Sequence, residues 1–507
     1  MQRERDWDQL SRLSRAAGDE PGTYEIDDRT WSDLGLNGVF DVVDRTLTPT
    51  GEQVLYARLR RPTTTGESFS ARARVVDALR ADPAALTAVR KQLRALGTAD
   101  GDAVVDLLWR ERTDLPVAMW PCRLGALLAV AMVGVTAFVS VFAGAVGLVA
   151  TMLLNLWLHG RVRLGSQGDL PSLRYLARLM RTAKRLCKMG LPGPERESFV
   201  RLATQTWSLR RKLSVQRLLN LNLVDELIGT LNVLFLLEAQ TYASAHREIV
   251  KLRPLLREAF KAVGALDEAQ SRLTLHEEQP TWTRPALREE RGPLAVVDLV
   301  HPSLDQPVPN SVTLDKGGLV VTGSNMSGKS TFLRAVGIGA VLAQAIALVP
   351  AASYSAQFVR VCAVMTAADD LTERKSYYLD EALAVLRAVG AAGGDPPTLT
   401  ILDELFRGTN SAERVAAGVA VVRWVASQGM VVVATHDMET ADLLDGRLAN
   451  AHFQDRIQDD DILFDYRLHP GRAQRTNALD ILALLGYPAG IVEDARAIVR
   501  PSLVARC

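Results

Sequence analysis

The sequence predicts two kinds of fold in one chain of 507 residues. The region up to about residue 290 is predicted to be helical, because apolar residues recur at helical spacing and charged residues fill the other faces. An uncharged stretch between residues 124 and 158 interrupts this pattern. After about residue 294, short β-branched segments alternate with helical ones, which predicts βαβ units on a mostly parallel sheet. The predicted fold class is therefore α followed by α/β.

Composition shifts and proline-rich linkers divide the chain into five predicted segments. They are a polar, mobile or loosely docked leader over 1–36, a helical segment over 37–116, a transmembrane helical hairpin over 117–160, a second helical segment over 161–290 and the α/β domain over 291–507. The leader has no apolar core and is not a secretory signal peptide.

The composition is that of a folded protein with little net charge. Hydrophobic residues make up 48% of the chain, and 59 Lys+Arg against 58 Asp+Glu leave a formal net charge of +1. This balance predicts no global attraction to nucleic acid, although it allows a local basic patch. The four cysteines are widely separated, so a reducing compartment is expected, with neither a disulfide framework nor a zinc site.

The uncharged stretch from Leu124 to Leu158 is predicted to form the membrane hairpin. One transmembrane helix needs ~20 apolar residues, so a run of about 35 is too long for one span and sufficient for two short ones. Small residues between Ser140 and Gly147 predict the reversal of the chain. Gly134, Gly144 and Gly147 predict a close approach of the two helices.

Residues flanking this stretch predict its orientation. Arg123 precedes it and Arg161 follows it, which places both ends in the cytoplasm, and Trp120 and Trp157 lie where interfacial aromatic residues belong. A cell-membrane location with a cytoplasmic α/β domain follows. The alternatives are a single bent helix, or a hairpin buried in a soluble helical core, which would give a cytoplasmic protein.

A glycine-rich segment, Gly323-Ser-Asn-Met-Ser-Gly-Lys-Ser330, matches the pattern of a phosphate-binding loop. It follows a predicted strand and opens a predicted helix, as the motif requires. Glycines let successive backbone N–H groups face phosphates, and the helix N-terminus adds positive potential. The predicted ligand is ATP, with Lys329 reaching the β- and γ-phosphates and Ser330 ligating Mg²⁺. The predicted contacts are Gly323, Ser324, Met326, Ser327, Gly328, Lys329, Ser330 and Thr331.

Two further predicted strands end in polar residues at the same edge of the sheet. The strand Thr398–Leu402 leads into Asp403, predicted to hold the metal, and Glu404, predicted to orient or deprotonate the attacking water. A third strand ends beside His436, which could sense the γ-phosphate or place the water; a surface-capping histidine is the alternative. Lys329, Glu404 and His436 are thus the predicted catalytic residues.

Together these motifs resemble the ATPase domain of the MutS family of DNA mismatch-repair proteins, which are ABC-type ATPases. The matching segments are His301-Pro302, Val308-Pro309-Asn310, TGSNMSGKSTFLRAVG, Val349-Pro350-Ala351, Asp369-Asp370-Leu371 with Ser376, ILDELFRGTN and ATH. The resemblance implies hydrolysis of ATP with Mg²⁺. It also implies that Asn325 contacts a phosphate or the metal, and that Ser324 and Ser327, which depart from the family pattern, keep their phosphate-facing amides.

The same resemblance implies a homodimer. The segment around Ser376 resembles the loop through which a serine of one subunit reaches the γ-phosphate of the other, so Ser376 is expected to act in trans at composite ATP sites. The tail RTNALDILALLGYPAGIVEDARAIV resembles the closing helix–turn–helix that braces the dimer; a simple amphipathic helix pair is the alternative. The resemblance extends more weakly upstream, to the family's core and lever regions, so that it covers roughly residues 37–115 and 195–500 in all.

Only about 35 residues precede the core-like segment, so the mismatch-reading domain is expected to be absent. A short, membrane-associated form is predicted, in which ATP-driven dimerisation acts on a DNA or protein client. The alternative is an ATPase that binds mismatched or branched DNA through the basic stretch Arg174–Lys188, although lipid headgroups fit that stretch as well. A structural membrane protein with a vestigial site is disfavoured by the complete set of predicted site residues.

Overall fold

A computed structural model describes residues 5–18, 20–101, 104–109, 120–166, 169–189, 194–219, 226–315, 317–324, 326–365, 377–458, 461–473, 479, 482–483 and 486–504. The chain divides into two compact units. The first comprises Met1–Gly18, Asp44–Ala57 and Arg72–Thr274, and the second comprises Asp19–Val43, Arg58–Ala71 and Leu275–Cys507.

Helices account for most of the described chain before residue 280, as predicted. They are Trp7–Ala16, Asp28–Asp33, Leu36–Val43, Pro49–Arg60, Gly66–Ala81, Pro83–Leu96, Val104–Trp109, Trp120–Phe138, Val141–Ser166, Leu170–Lys188, Pro194–Gln205, Trp207–Leu219, Glu226–Phe235 and Leu237–Glu278. Apolar stripes drive their packing. On Leu170–Lys188, for example, Leu176 and Leu179 are buried while Arg174 and Arg181 face solvent.

A buried carboxylate anchors the core of the first unit. Asp267 accepts hydrogen bonds from the backbone N–H of Leu47 (2.9 Å) and of Thr48 (2.8 Å), and from the Thr48 hydroxyl (2.6 Å). Burial raises the pKa of Asp267 to about 6. A Cβ at Gly51 would overlap the Asp267 side chain, so the start of the helix Pro49–Arg60 requires glycine there.

The uncharged stretch forms two antiparallel helices, Trp120–Phe138 and Val141–Ser166. Both are long and apolar enough to cross a membrane. The chain reverses at Val139-Ser140, at the start of the predicted Ser140–Gly147 segment rather than at its centre, because Gly144 already lies within the second helix. A Cβ at Gly144 would overlap the backbone of Thr136, which confirms its predicted role in close packing.

The other two glycines, Gly134 and Gly147, differ in how closely the opposite helix approaches them. A Cβ at Gly147 would overlap Met132, whereas Gly134 has open space around it, so the prediction for Gly134 is wrong. Only 17% of the first apolar helix and 22% of the second are buried. Among the described residues, the hairpin is therefore not enclosed in a helical core. The single bent helix is wrong, because the two helices pack side by side.

The prediction of a loosely docked leader is wrong for residues 20–36, which pack into the second unit. Tyr24, Ile26, Trp31 and Leu34 are buried there. The apolar residues are spread among Gly, Asp and Arg, so they form no periodic pattern that the sequence could reveal.

The second unit contains a six-stranded sheet and a four-stranded sheet. Their strands are β1 (Ala286–Arg288), β2 (Leu294–Leu299), β3 (Asn310–Leu314), β4 (Gly318–Thr322), β5 (Ser353–Gln357), β6 (Arg360–Val364), β7 (Thr398–Asp403), β8 (Met430–Ala434), β9 (Ala449–Gln458) and β10 (Asp461–Pro470). The larger sheet has the order β10-β9-β4-β8-β7-β6, and the smaller has the order β1-β5-β2-β3.

The larger sheet confirms the predicted α/β region. Strands β6, β7, β8, β4 and β9 run parallel, and β10 returns antiparallel to β9. The four strands predicted from the sequence are adjacent in it, in the order β4-β8-β7-β6, with β6 at the edge of the sheet. Helices Lys329–Ala345, Tyr377–Ala391, Ser411–Gln428 and Met438–Leu444 follow β4, β6, β7 and β8 in turn, and Ala489–Val504 lies near the end of the chain. The sequence did not predict the β9–β10 hairpin or the smaller sheet.

Side chains of the former leader cap the edge strand β6. The Tyr24 hydroxyl accepts the backbone N–H of Val361 (3.0 Å), and the Thr30 hydroxyl accepts that of Ala363 (3.1 Å). The Asp33 carboxylate accepts the N–H of the residue that follows the strand by one position (3.1 Å). These three acceptors replace the neighbouring strand that an edge otherwise lacks.

Candidate functional site

The glycine-rich loop joins β4 to the helix Lys329–Ala345 through unusual backbone conformations. Gly323, Met326 and Gly328 have φ angles of 145°, 73° and 104°. A Cβ at Gly323 would lie 2.9 Å from the carbonyl oxygen of Phe453 on β9, so glycine is needed for the close approach. Asn325 lies outside the described residues.

Lys329 opens the helix with its amino group turned back onto the loop. Its Nζ donates hydrogen bonds to the carbonyl oxygens of Gly323 (2.8 Å) and Ser324 (2.7 Å). Burial lowers the pKa of Lys329, and the nearby carboxylates of Glu404 and Asp403 offset part of that effect. A buried cation is thus held at the mouth of the loop, where an anionic ligand would approach.

Ser330 joins the loop to the tip of β7. Its hydroxyl donates a 2.6 Å hydrogen bond to Oδ2 of Asp403, and burial raises the pKa of that carboxyl group. A hydroxyl and a carboxylate at this distance are hard oxygen donors of the kind that Mg²⁺ prefers. The two residues predicted to bind the metal are therefore in direct contact.

Glu404 follows Asp403 with a φ of 49°, which is uncommon outside glycine. Its backbone N–H donates to the carbonyl of Ala434 (3.0 Å), fixing it against β8. His436 Nδ1 lies 3.3 Å from its Oε2, and Arg407 forms a second ion pair with the same oxygen. Burial disfavours the charged form of Glu404, but the hydrogen bond from His436 and the charge of Arg407 outweigh it and lower its pKa.

Arg407 is a site residue to which the sequence analysis assigned no role. It lies three residues after Glu404, and that i,i+3 spacing was the only signal available. Asp437 is a second site residue to which the sequence analysis assigned no role. It accepts two hydrogen bonds from Arg414 (2.9 and 3.1 Å) and lies 3.9 Å from His436 Nε2. The hydrogen bond to Glu404 is the main cause of the raised pKa of His436, and Asp437 adds to it.

A cavity of about 440 Å³ opens beside the loop. Met326, Gly328, Lys329, Ser330 and Thr331 line one side. The rest of its wall includes His301, Pro307, Phe332, Glu404, Arg407, Phe453 and Tyr466. The structure therefore brings the loop, the acidic strand tip and an aromatic recess together in one place.

The remaining predicted contacts are less central or lie outside the described chain. The Ser327 hydroxyl donates to the Ser324 carbonyl (2.8 Å) and so stabilises the loop rather than the cavity. Met326 is 83% exposed. Ser376 and the segment around it lie outside the described residues, as does much of the predicted tail, although its final helix, Ala489–Val504, is present.

The geometry defines an α/β protein with a glycine-rich loop, a lysine and an acidic strand tip at one edge of a parallel sheet. Residues 319–501 match the family model of MutS domain V. The chain is 30% identical to the DNA mismatch repair protein MutS of Exiguobacterium sp. over 274 residues, which are 52% of this chain and 32% of the relative. Residues 319–501 are therefore similar to MutS domain V, and about half of the chain is similar to MutS proteins.

Two further relatives show similar identity and coverage. Identity to MutS of Geobacillus kaustophilus is 28% over 276 residues, or 52% of this chain and 30% of the relative. Identity to MutS of Staphylococcus aureus is 28% over 288 residues, which are 54% of this chain and 33% of the relative. The chain thus spans about a third of the length of the curated relatives it matches.

Proposed function

We propose that this chain is a Mg²⁺-dependent ATPase with a membrane-attached helical hairpin. One observation carries the ATPase assignment: Lys329, Ser330, Asp403, Glu404 and His436 converge at the carboxyl ends of the adjacent strands β4, β8 and β7. Ligands of open parallel sheets bind at this edge.

The described residues fit the nucleotide and the metal. The loop amides and Lys329 suit the phosphates, and the aromatic recess beside them suits a base. Ser330 and Asp403 would hold Mg²⁺, which when bound neutralises phosphate charge. Asn325 and, from a second copy of the chain, Ser376 are proposed as further phosphate contacts because of the family resemblance.

Glu404 is the proposed proton acceptor for the attacking water. Its pKa is held low, so the carboxylate is ionised at neutral pH and can accept a hydrogen bond from water. His436 holds that carboxylate from the neighbouring strand tip and favours one orientation. Arg407 competes for the same oxygen, and its side chain also lines the cavity, where it can approach a phosphate.

Substitution of Lys329 tests the assignment directly. Lys329→Ala removes the buried cation, and ATP binding is expected to weaken by at least about tenfold, the effect of losing one charge-assisted contact. Binding would be measured by calorimetry, with Lys184→Ala on an exposed helix face as the matched control. Unchanged ATP affinity in Lys329→Ala would contradict the proposed site, provided that circular dichroism shows a folded protein.

The membrane attachment is proposed for residues 117–160, with the α/β domain on the cytoplasmic side. It is supported by two exposed apolar helices whose bases carry Arg123, Arg161, Trp120 and Trp157. Dimerisation of the ATPase heads would then be coupled to a client through residues 37–116 and 161–290. Cell fractionation tests the attachment: full release of the protein by salt or carbonate, without detergent, would exclude it.

A DNA client is the second candidate, since the relatives are named DNA mismatch repair proteins. The helix Leu170–Lys188 supports it, because Arg174, Arg181, Lys184 and Arg185 are exposed on one face. Binding through these residues should weaken steeply with salt. Turnover of ATP with and without duplex, mismatched and branched DNA would identify the client; no DNA binding at low salt would exclude it.

A further inference from the structure

The tip of the apolar hairpin is the most exposed hydrophobic part of the described chain. Phe138, Val139, Val141 and Phe142 are 71–90% exposed, and Ser140 is the one polar residue among them. The sequence has no charged side chain between residues 124 and 158. A hairpin that crossed a bilayer would place these four large apolar side chains in the water or headgroups on the far side, at a considerable cost.

The turn satisfies much of its own backbone without water. The N–H groups of Val139 and Ser140 both donate to the carbonyl of Val135 (3.0 Å each). Ser140 then caps the second helix, since its hydroxyl accepts the N–H of Ala143 (3.3 Å) and its carbonyl accepts that of Gly144 (2.9 Å). Backbone groups in hydrocarbon must be paired within the protein, so this turn is suited to a lipid environment.

The base of the hairpin is held by protein. The Asn155 side chain is buried and donates to the carbonyls of Gly125 (3.2 Å) and Leu234 (2.7 Å), tying both arms to the helix Glu226–Phe235. Cys122, Leu158, Val162, Leu236 and Ala239 form a small apolar core around this tie. Apart from Gly144, the buried residues of the two arms lie toward this base.

The free arms are shorter than a bilayer is thick. The Arg161 guanidinium lies 5.1 Å from the centre of the Trp157 ring, and a pair of these residue types suits the water–lipid boundary. From Trp157 to the turn the helix rises about 24 Å, and from Leu124 to the turn it rises about 21 Å, at ~1.5 Å per residue. The hydrocarbon core of a bilayer is about 30 Å thick.

We propose that the hairpin does not span the membrane but enters it from the cytoplasmic face and ends inside the hydrocarbon, with Phe138–Phe142 among the acyl chains. Lipid acyl chains cover the exposed apolar surface of the hairpin. Arg123 and Arg161 at its base suit the anionic headgroups of the same leaflet. This inference depends on the proposed membrane attachment and specifies its depth and sidedness.

Cysteine accessibility in the full-length protein tests the depth. The four native cysteines are replaced by serine and Val139→Cys is introduced. Intact cells and sealed inverted vesicles that contain this protein are then treated with a membrane-impermeant maleimide. No labelling from either side is expected, with full labelling after detergent. Ala84→Cys, which is exposed outside the hairpin, is the control and should be labelled in inverted vesicles alone.

The outcomes separate the inference from the function on which it depends. Labelling of Val139→Cys in intact cells means that the hairpin spans, which overturns the inference while membrane attachment stands. Labelling in inverted vesicles means that the tip is not inserted, which also overturns the inference; carbonate extraction then decides whether the attachment stands. A protein that carbonate washes from the membrane overturns the attachment itself.

A charge at the tip gives a second, independent measurement. Phe142→Lys places an ammonium group in the hydrocarbon of an inserted tip, so partition of the full-length protein into vesicles of 30% phosphatidylglycerol and 70% phosphatidylethanolamine should fall about 100-fold. Val200→Lys, at an exposed apolar position outside the hairpin, should leave partition unchanged. Equal partition of Phe142→Lys and the parent protein would overturn the inference, because a spanning tip tolerates a terminal charge.

Discussion

His436 Nδ1 lies 3.3 Å from Oε2 of Glu404, and the two residues follow the ends of the adjacent parallel strands β8 and β7. The contact holds Glu404 in the ionised form and His436 toward the protonated form. The proposed base and its proposed orienting group are thus positioned by the register of the sheet.

Glu404→Gln should abolish turnover while preserving nucleotide binding. The amide keeps the size of the side chain but cannot accept a proton, so kcat is expected to fall by at least about 100-fold. Steady-state phosphate release and ATP affinity would be measured together. Glu493→Gln, exposed on the final helix, is the control, and retention of near-normal kcat by Glu404→Gln would exclude the proposed role.

The ionisation of His436 should depend on Glu404. Because the folded-state pKa of His436 is raised, the stability that the pair contributes is fully present below the unfolded pKa of about 6.5 and is lost as pH rises through the folded value. Titration of His436 by NMR should therefore give a pKa above its ordinary value, and Glu404→Gln should lower it. Identical titration curves in the two proteins would contradict this coupling.

Asp403→Asn should raise the Mg²⁺ concentration needed for activity. The asparagine can still accept the Ser330 hydroxyl but lacks the charge, so metal affinity is expected to fall by at least about tenfold. The measurement is ATPase rate against Mg²⁺ concentration, with Asp494→Asn as the control. A Mg²⁺ dependence unchanged from the parent would argue against Asp403 as a metal-binding residue.

Tyr466→Ala should raise KM for ATP and leave kcat nearly unchanged. Tyr466 lines the cavity, and its ring lies 3.3 Å from the position a Cβ would take at Gly328. Loss of a stacking surface costs about 1–3 kcal/mol, which is roughly 5- to 150-fold in affinity. Tyr487→Ala, at an exposed tyrosine outside the cavity, is the control. A fall in kcat at constant KM would place Tyr466 in another role.

Thr30→Val should destabilise the second unit. The buried Thr30 hydroxyl accepts the N–H of Ala363 and a hydrogen bond from Arg387 (3.0 Å), and it donates to Asp27 (2.8 Å). Leaving an edge-strand N–H without its acceptor should lower the free energy of unfolding by roughly 1–3 kcal/mol. Urea unfolding would be compared with Ser32→Ala, an exposed position in the same helix. Equal stabilities would show that the cap is dispensable.

Much of the site could be predicted from sequence because its chemistry is local. The glycines, Lys329 and Ser330 form one continuous segment, and Asp403 and Glu404 directly follow a buried strand. Arg407 and Tyr466 could not be predicted in the same way. The position of Arg407 depends on the turn after β7, and Tyr466, which lines the cavity, lies within the register shift between Phe464 and Leu468 on β10.

The sequence alone determined the order of helical and α/β regions, the phosphate-loop motif and the uncharged hairpin, since each follows from periodicity or composition within a short window. The tertiary structure alone decided that residues 20–36 cap β6, that a second sheet forms, and that the tip of the hairpin is held about 20 Å from its protein-bound base. These features depend on contacts between residues far apart in the chain, and no local pattern records such pairings.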